Sequence, residues 1–559
     1  MGRRRPARNY RMAAGVTAGA ETAALLRGAW TALRGGELQQ ARTLCEQVLL
    51  NDPANFDAWR MLAIARRGLG DDAGTGQALD RAHALRPGDV GAACDLGTWL
   101  LEHDQATAAR PLLQKATQAL PRDARIAFRA GTACFRDNDF IAAAEAFRVA
   151  VAVDPDWSQA WNNLSASLSR LQDYPAAVDA ARHALGLQPE TATYHQALAA
   201  LMSNLFDEPS LREGLAAAER ALQLQPDLAE AHRNAAILLR KLGEPVRAEG
   251  HARSAYRLAP LNPEVIESLG DQLMLNGRNA EAAALYAAAR RSGVGSASLV
   301  RQHGIALLRD RRAEDARATL AESLALGPDD QRAIAHLGIA LGEAEGMDAA
   351  IEFIGLHRHV HSMTLAPPAG FDAHGFHQAL ADDIRQHSRQ RWEPAGLAAK
   401  NAYLSGDLLA DRTSAIVGFE QRLREAIDTF LVACRRQRAA GASDVFLDNI
   451  PDGYRLHVWA TLAAQSGYID THIHEDSWLS GAYYVELPAA IDADDSTGAG
   501  WIEFGRPWVG LPQWPEHALR RVLPRVGTLL LFPSYLFHRT LPYAGPGERI
   551  SISFDLAAA

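Results

Sequence analysis

Residues 155–189 read PDWSQAWNNLSASLSRLQDYPAAVDAARHALGLQP, a stretch that opens on Pro155 and closes on Pro189. The interval between these two prolines recurs along the chain, in the two series Pro53, Pro87, Pro121, Pro155, Pro189 and Pro226, Pro260. Each proline follows a run of helical periodicity, such as AVDP or LQLQP, and proline cannot continue a helix. The spacing therefore predicts a repeated helical unit over most of the chain.

Small residues keep the same phase as the prolines. Twelve residues before most of them stands an alanine, at Ala41, Ala109, Ala143, Ala177, Ala248 and Ala316. Twelve residues earlier again comes another small residue, often in a Leu-Gly pair such as Leu96-Gly97. Small side chains let two antiparallel helices approach closely, so each unit is predicted to be a pair of helices. A three-residue insertion near residues 207–209 interrupts the phase once.

This pattern resembles the tetratricopeptide repeat family, in which a pair of helices recurs with the same period. The resemblance implies an all-α superhelix of about ten repeats over residues 22–360, with a concave face that binds a protein or peptide. The basic residues 1–21 are expected to form a disordered tail, and residues 361–370, which contain two prolines, a linker.

Composition and net charge exclude some classes of binding partner for the chain. The net charge of −9 argues against nucleic acid as the main partner. No window of 18 apolar residues occurs, so neither a membrane span nor a membrane partner is expected. The four cysteines form no C-x-x-C pair, which favours free thiols in the cytoplasm.

Within residues 371–559 the spacing of apolar residues changes from the period of a helix to the period of two that is typical of strands. Two helical segments come first, and then the runs YRLHVWATLAA, SGAYYVELP, GWIEFG, GTLLLFP and RISISFDL read as strands. Several strands after two helices predict a small β-barrel or a double-sheet jelly roll with supporting helices.

Potential metal ligands are concentrated at the start of one of these strands, in THIHEDSW (471–478). With strand alternation, His472, His474 and Asp476 would point to one face. A hairpin between His538 and Arg549 would bring His538 close to Ser553.

The last predicted strand has polar residues on one of its two faces. Arg549, Ser551 and Ser553 share one parity, and apolar residues occupy the other. We therefore expect the polar set to line a cavity inside the barrel.

The blocks HIHEDSWLSGAYYVELP, GWIEFGRP, LLLFPSYLFHRTLPY and RISISFD resemble, in this order, the 2-oxoglutarate- and iron(II)-dependent oxygenases. The resemblance implies a double-stranded β-helix that binds Fe(II) and 2-oxoglutarate and oxidises a substrate, most simply by hydroxylation. It assigns the metal to histidines that include His474 and His538, and the far carboxylate of 2-oxoglutarate to Arg549 and Tyr484. Ser551 and Ser553 are expected to assist in binding this cosubstrate.

Two questions stay open in the sequence. The third metal ligand is His472 if the family-like register holds, or Asp476 if the site has two histidines and one carboxylate. The domain is an active dioxygenase with repeats that recruit its substrate, or a repeat scaffold whose barrel binds a ligand without catalysis. The substrate and the oligomeric state do not follow from the residues.

Overall fold

The structure is a computed structural model and describes residues 20–205, 207–387, 391–392, 398–492 and 495–559. The predicted basic tail, residues 1–21, lies outside this part except for its last two residues, which begin the first helix. The chain divides into two compact units at Asn204 and Leu205, and each is described by itself. None of the described helices is both long enough and apolar enough to cross a membrane.

The first unit consists of antiparallel helices in its described part. They are α1 (Ala20–Gly35), α2 (Leu38–Asn51), α3 (Phe56–Gly68), α4 (Asp72–Leu85), α5 (Val90–Glu102), α6 (Ala106–Ala119), α7 (Ala124–Arg136), α8 (Phe140–Val153), α9 (Ser158–Arg170), α10 (Tyr174–Leu187) and α11 (Ala192–Met202).

Helix ends follow the spacing of the prolines, because the N-cap position of the next helix comes two residues after each proline of the series. At four of these positions a side chain caps the helix, since Asn55, Asp89, Asp123 and Asn262 accept hydrogen bonds from backbone N–H groups of the first turn. Such caps satisfy N–H groups that the helix itself leaves free. Proline ends one helix and the cap starts the next, which sets the repeat length.

Close packing within each repeat depends on the small residues. All six alanines predicted at helix contacts have no exposed surface. A side chain at Gly97 would collide with Leu113, and one at Gly131 would collide with Phe147, in each case on the helix that follows. Glycine therefore makes room for one large side chain of the partner helix.

The second unit begins with further repeat helices. They are α12 (Glu208–Leu224), α13 (Ala229–Lys241), α14 (Pro245–Leu258), α15 (Pro263–Leu275), α16 (Asn279–Arg291), α17 (Ala297–Arg309), α18 (Ala313–Leu326), α19 (Gln331–Ala344) and α20 (Met347–Ile354). With α1–α11 they make twenty repeat helices in the described chain, the number that ten two-helix repeats need. The three inserted residues coincide with the longer α12, which has 17 residues against 14 in α14.

The rest of the second unit is rich in strands, as expected. Its helices are α21 (Ala373–Gln386) and α22 (Ser414–Ala439), and its strands are β1 (His361–Thr364), β2 (Arg391–Trp392), β3 (Ala399–Leu404), β4 (Tyr454–Ile469), β5 (Leu479–Glu486), β6 (Ile502–Phe504), β7 (Arg520–Val522), β8 (Thr528–Pro533), β9 (His538–Thr540) and β10 (Arg549–Ala558).

These strands form two antiparallel sheets. The large sheet has the order β1-β8-β5-β10-β4-β3-β2, and the small sheet has the order β7-β6-β9. The central strand β10 pairs Ser551 with Thr461 on β4 and with Tyr484 on β5. One face of β10 buries Ile550, Ile552 and Phe554 in the apolar core.

The predicted linker is wrong in one respect, because residues 361–370 contain β1. His361 to Thr364 pair antiparallel with Leu531 to Thr528, so the segment extends the large sheet. The backbone of β8 would otherwise be an unpaired sheet edge, which favours addition of a strand.

The segment also does not separate the repeats from the β-rich region, as a linker would. A single buried core contains Leu337 and Ile354 from the repeats together with Tyr535 and Phe537 from the β-rich region. Polar contacts cross as well, since the Tyr535 hydroxyl donates to the carbonyl of Ile354 at 3.0 Å. The last repeats and the β-rich region therefore share one hydrophobic core.

Candidate metal centre and cosubstrate cavity

The segment between β4 and β5 brings two of the predicted metal ligands next to each other. His472 and His538 form an antiparallel bridge, in which each backbone N–H donates to the other's carbonyl at 3.0 Å. Residues directly opposite in such a bridge have neighbouring side chains. The His474 N–H donates to the carbonyl of Ser534, which holds the segment in place two residues further on.

Three imidazoles converge at this point. One ring nitrogen from each of His472, His474 and His538 lies within 4.8 Å of the other two. The ring centroids of His472 and His538 are 4.2 Å apart, and that of His474 is 5.0 and 5.2 Å from them. In the described part of the chain, this is the one group of three or more His, Cys, Asp or Glu side chains with such spacing.

Hydrogen bonds set the tautomer of all three rings. Nδ1 of His472 lies 2.8 Å from the carbonyl oxygen of Asp470, and Nδ1 of His538 lies 2.9 Å from that of Leu536. Nδ1 of His474 lies 2.7 Å from the carboxylate of Asp555. Because these oxygens accept, each Nδ1 carries the proton and each Nε2 keeps a free lone pair.

The electrostatics keep the rings of His472 and His538 neutral. Burial and the neighbouring His474 lower the pKa of His472 to about 3. Burial and the other two histidines lower the pKa of His538 well below its usual value. Nε2 of His474 is buried and has no hydrogen-bond partner among the described residues. A neutral imidazole with a free Nε2 is the form that binds a metal ion.

Asp476 does not join the three histidines. The chain turns at Glu475 and Asp476, and both side chains are exposed at the rim of the cavity. Strand alternation, which would have aligned Asp476 with His474, stops at this turn. Glu475 instead lies 3.5 Å from Arg332 of α19.

Asp555 accepts the hydrogen bond from Nδ1 of His474. Its other contacts are with Ser480, whose hydroxyl donates to the carboxylate at 2.6 Å and lies 2.7 Å from the Ser534 hydroxyl. Outer partners of this kind fix the orientation of a metal-binding histidine and increase its basicity. The sequence analysis missed Asp555, although it continues the polar parity of Arg549, Ser551 and Ser553.

Arg549 is a buried cation, and no described carboxylate forms an ion pair with it. Its side chain is 1% exposed, and Nη2 donates to the Thr540 hydroxyl at 3.0 Å. Nε and Nη1 are buried without any hydrogen-bond partner in the described chain. Burial lowers the pKa of Arg549, which still leaves the guanidinium charged. Two unpaired charged N–H donors are costly to bury, so the position is suited to an anionic ligand.

One cavity joins Arg549 to the histidines. Its volume is about 340 Å³, and its walls include Tyr484, Ser551, Ser553 and Trp459. The hydroxyl-bearing residues line the same cavity as Arg549, and burial raises the pKa of Tyr484 to about 12, so its phenol stays protonated. The cavity has the size expected for a small ligand.

The predicted hairpin between His538 and Arg549 is wrong. β9 pairs with β6 in the small sheet, whereas β10 lies between β4 and β5 in the large sheet. Ser553 is opposite Trp459 and Ala482 rather than His538. Eight residues between the strands allow the chain to cross from one sheet to the other, which a tight turn would not.

Comparison with known families agrees with this architecture. Residues 26–90, 94–160 and 210–263 match the tetratricopeptide repeat family, and residues 457–555 match the family described as "Putative 2OG-Fe(II) oxygenase". The predicted combination of tetratricopeptide repeats with a C-terminal domain of this oxygenase family is confirmed.

Solved structures that resemble the chain include MamA proteins. MamA (41-end) from Desulfovibrio magneticus RS-1 is 24% identical, with a TM-score of 0.28, over 31% of this chain and 97% of that one. A structure of MamA AMB-1 is 24% identical, with a TM-score of 0.29, over 30% of this chain and 99% of that one. No curated protein matches the chain.

Proposed function

We propose that the chain is an Fe(II)- and 2-oxoglutarate-dependent oxygenase, specifically a hydroxylase. The observation that carries this proposal is one cavity with three free imidazole nitrogens and an uncompensated buried arginine. A metal ion and a dianionic small molecule are the ligands that such a cavity accommodates.

The strand order supports a double-stranded β-helix as the fold of this domain. The large sheet contains β4, β5, β8 and β10, and the small sheet contains β6, β7 and β9. The bridge at His472 adds an eighth segment beside β9. Eight segments in two facing antiparallel sheets are the arrangement of a jelly roll.

His472, His474 and His538 are the residues that would hold the iron, each through Nε2. Their Nδ1 atoms already donate to oxygen acceptors, and this orients the rings before a metal arrives. Asp555 supplies negative charge one hydrogen bond away from the metal ligands.

Arg549 would bind the far carboxylate of 2-oxoglutarate. A guanidinium offers paired N–H donors that fit a carboxylate, which the single ammonium group of lysine does not. Tyr484, Ser551 and Ser553 would add hydroxyl donors along the same wall. Binding would satisfy Nε and Nη1 of Arg549, which have no hydrogen-bond partner in the described part of the chain.

With both groups bound, iron and 2-oxoglutarate supply oxidation by dioxygen, in which one oxygen atom enters the substrate and the other enters succinate as carbon dioxide leaves. The chain's own residues bind and orient these groups. The buried walls of the cavity, including Phe532 and Ile502, exclude water from the reacting centre.

The repeats would recruit a protein or peptide substrate. Stacked helix pairs of this family commonly bind extended segments, and the last repeats here share a core with the oxygenase domain. The four cysteines are buried and form no disulfide, which supports a reducing location such as the cytoplasm.

Anaerobic titration of the full chain with Fe(II) and 2-oxoglutarate tests the proposal. We expect one iron per chain, a metal-to-ligand charge-transfer band when 2-oxoglutarate is added, and slow succinate formation in air. A chain that binds no iron, or that forms no succinate with iron bound, would contradict it.

An inactive scaffold with a ligand-binding barrel is the alternative. The observation that favours it is the absence of a carboxylate from the three-histidine group in the described residues. This alternative predicts that the chain binds iron and 2-oxoglutarate but consumes no oxygen.

A further inference from the structure

A second cavity lies where the last repeats meet the β-rich region, inside the unit that begins at Leu205. Its volume is about 240 Å³. None of its lining residues belongs to the wall of the histidine cavity. Its polar and aromatic lining consists of Arg240, Asp271, Arg309, Arg332, His336 and Trp508.

Positive charge exceeds negative charge in this arginine cavity. Within the described chain, neither Arg240 nor Arg309 has a carboxylate oxygen within 4.0 Å, and Arg309 donates to the Met274 carbonyl at 3.4 Å. Arg332 forms an ion pair with Glu475, with an N–O distance of 3.5 Å. Asp271 alone contributes a carboxylate to the lining.

The cavity also presents a hydrogen-bond acceptor. His336 has no exposed surface, and its Nδ1 donates to the carbonyl oxygen of Arg332 at 2.7 Å. Burial and the nearby Arg332 lower the pKa of His336 to about 3, so the ring is neutral and its Nε2 can accept. This Nε2 has no partner among the described residues. A ligand that brings an N–H or O–H group would satisfy this buried acceptor.

Two contacts connect the arginine cavity to the metal ligands. The Trp508 indole N–H donates to the carbonyl of Thr471 at 2.8 Å, directly before His472. Arg332 reaches Glu475, directly after His474. A ligand in this cavity therefore lies beside the segment that carries two of the three histidines.

We propose that the arginine cavity binds an acidic residue of a peptide substrate, next to the position that is oxidised. The carboxylate would contact Arg309 and Arg240, and a neighbouring backbone N–H would donate to Nε2 of His336. A nucleic acid would also offer phosphates to the arginines, but the net charge of −9 disfavours a polyanionic partner. This inference rests on the proposed function, since it names the substrate class of that same site.

Fluorescence anisotropy with two pools of labelled nonapeptides tests the proposal on the full chain. The pools are random except for the central residue, which is Asp or Glu in one and Asn or Gln in the other. We expect the acidic pool to bind more tightly, and Arg309→Gln to weaken its binding roughly ten- to a hundredfold. Binding is measured without added iron, so its outcome is independent of the succinate assay.

Arg317→Gln is the matched control, because Arg317 is a partly exposed residue of α18 outside the arginine cavity and is paired with Glu314 at 3.2 Å. It should leave peptide affinity unchanged. If Arg309→Gln does not fold, Arg240→Gln, at an exposed position, takes its place in the comparison. Equal binding of both pools, unchanged affinity in the folded variants, or preferential binding of a random single-stranded oligonucleotide would overturn the proposal.

Discussion

At the scale of single residues, the first question is which residue is the third metal ligand. His472 donates its Nδ1–H to the Asp470 carbonyl and stands opposite His538, whereas Asp476 is exposed beyond the turn. We therefore expect Asp476→Ala to retain one iron per chain and most succinate formation, and His472→Ala to lose both. Iron stoichiometry and succinate are measured in the two variants side by side.

Asp476→Ala is the matched control for His472→Ala, since both positions border the same cavity. Loss of iron in Asp476→Ala with retention in His472→Ala would restore a site of two histidines and one carboxylate. The thermal unfolding of both variants shows whether any loss comes from the fold instead.

Arg549→Met separates binding from stability. The charge of Arg549 is buried and has no counter-ion among the described residues, so an apolar side chain should raise the unfolding temperature of the chain measured without added 2-oxoglutarate. The same change should raise the 2-oxoglutarate requirement roughly ten- to a hundredfold, because a charge-assisted contact is lost. The iron requirement should change little.

Differential scanning fluorimetry and succinate formation at varied 2-oxoglutarate measure the two effects. Arg525→Ala, at an exposed position outside the cavity, is the control and should alter neither. A less stable Arg549→Met chain with unchanged 2-oxoglutarate affinity would assign Arg549 a structural role.

At the scale of elements, glycine decides how closely two repeat helices pack. A side chain at Gly270 of α15 would collide with the Tyr286 hydroxyl on α16, and Tyr286 has no exposed surface. Gly270→Ala should therefore destabilise the chain by about 1–3 kcal/mol through overpacking. Chemical denaturation of the full chain measures the change.

Gly250→Ala is the matched control, because this glycine also lies inside a helix, α14, but nothing lies within 4 Å of an added side chain. It should stabilise the chain by roughly 0.5–1 kcal/mol, since alanine has the higher helix propensity. Destabilisation of the same size in both variants would mean that the contact with Tyr286 is not the cause.

At the scale of the whole molecule, the shared core governs which fragments fold. Leu337 and Ile354 of the repeats are buried in the same core as Tyr535 and Phe537. Residues 366–559 alone would expose this surface to water, so we expect that fragment to aggregate or to unfold at a lower temperature. Residues 205–559 keep the core intact and should fold cooperatively.

Circular dichroism and size-exclusion chromatography of the two fragments check this expectation. The longer fragment serves as the control for the shorter one. Both contain every candidate metal ligand and the strands β2–β10, and only the longer fragment also contains β1. A soluble, cooperatively folding 366–559 fragment would show that the repeat contacts are dispensable for the fold.

The sequence by itself determined the features that depend on local periodicity. Prolines at a constant interval predicted the repeat helices, because a helix must end where proline follows. Alternation predicted the main strands and the polar face of β10 with Arg549, Ser551 and Ser553, since side chains in a strand alternate between its two faces. The ordered motif blocks predicted the oxygenase domain, which the family comparison confirmed.

Only the tertiary structure decided features that depend on non-local pairing. The pairing of His538 with His472, rather than with Ser553, follows from which sheet each strand joins, and alternation within one strand carries no such information. Asp555 behind His474, the turn that excludes Asp476, and the core shared with the repeats arise in the same way. Each depends on contacts between residues far apart in the chain, whose packing only the folded molecule specifies.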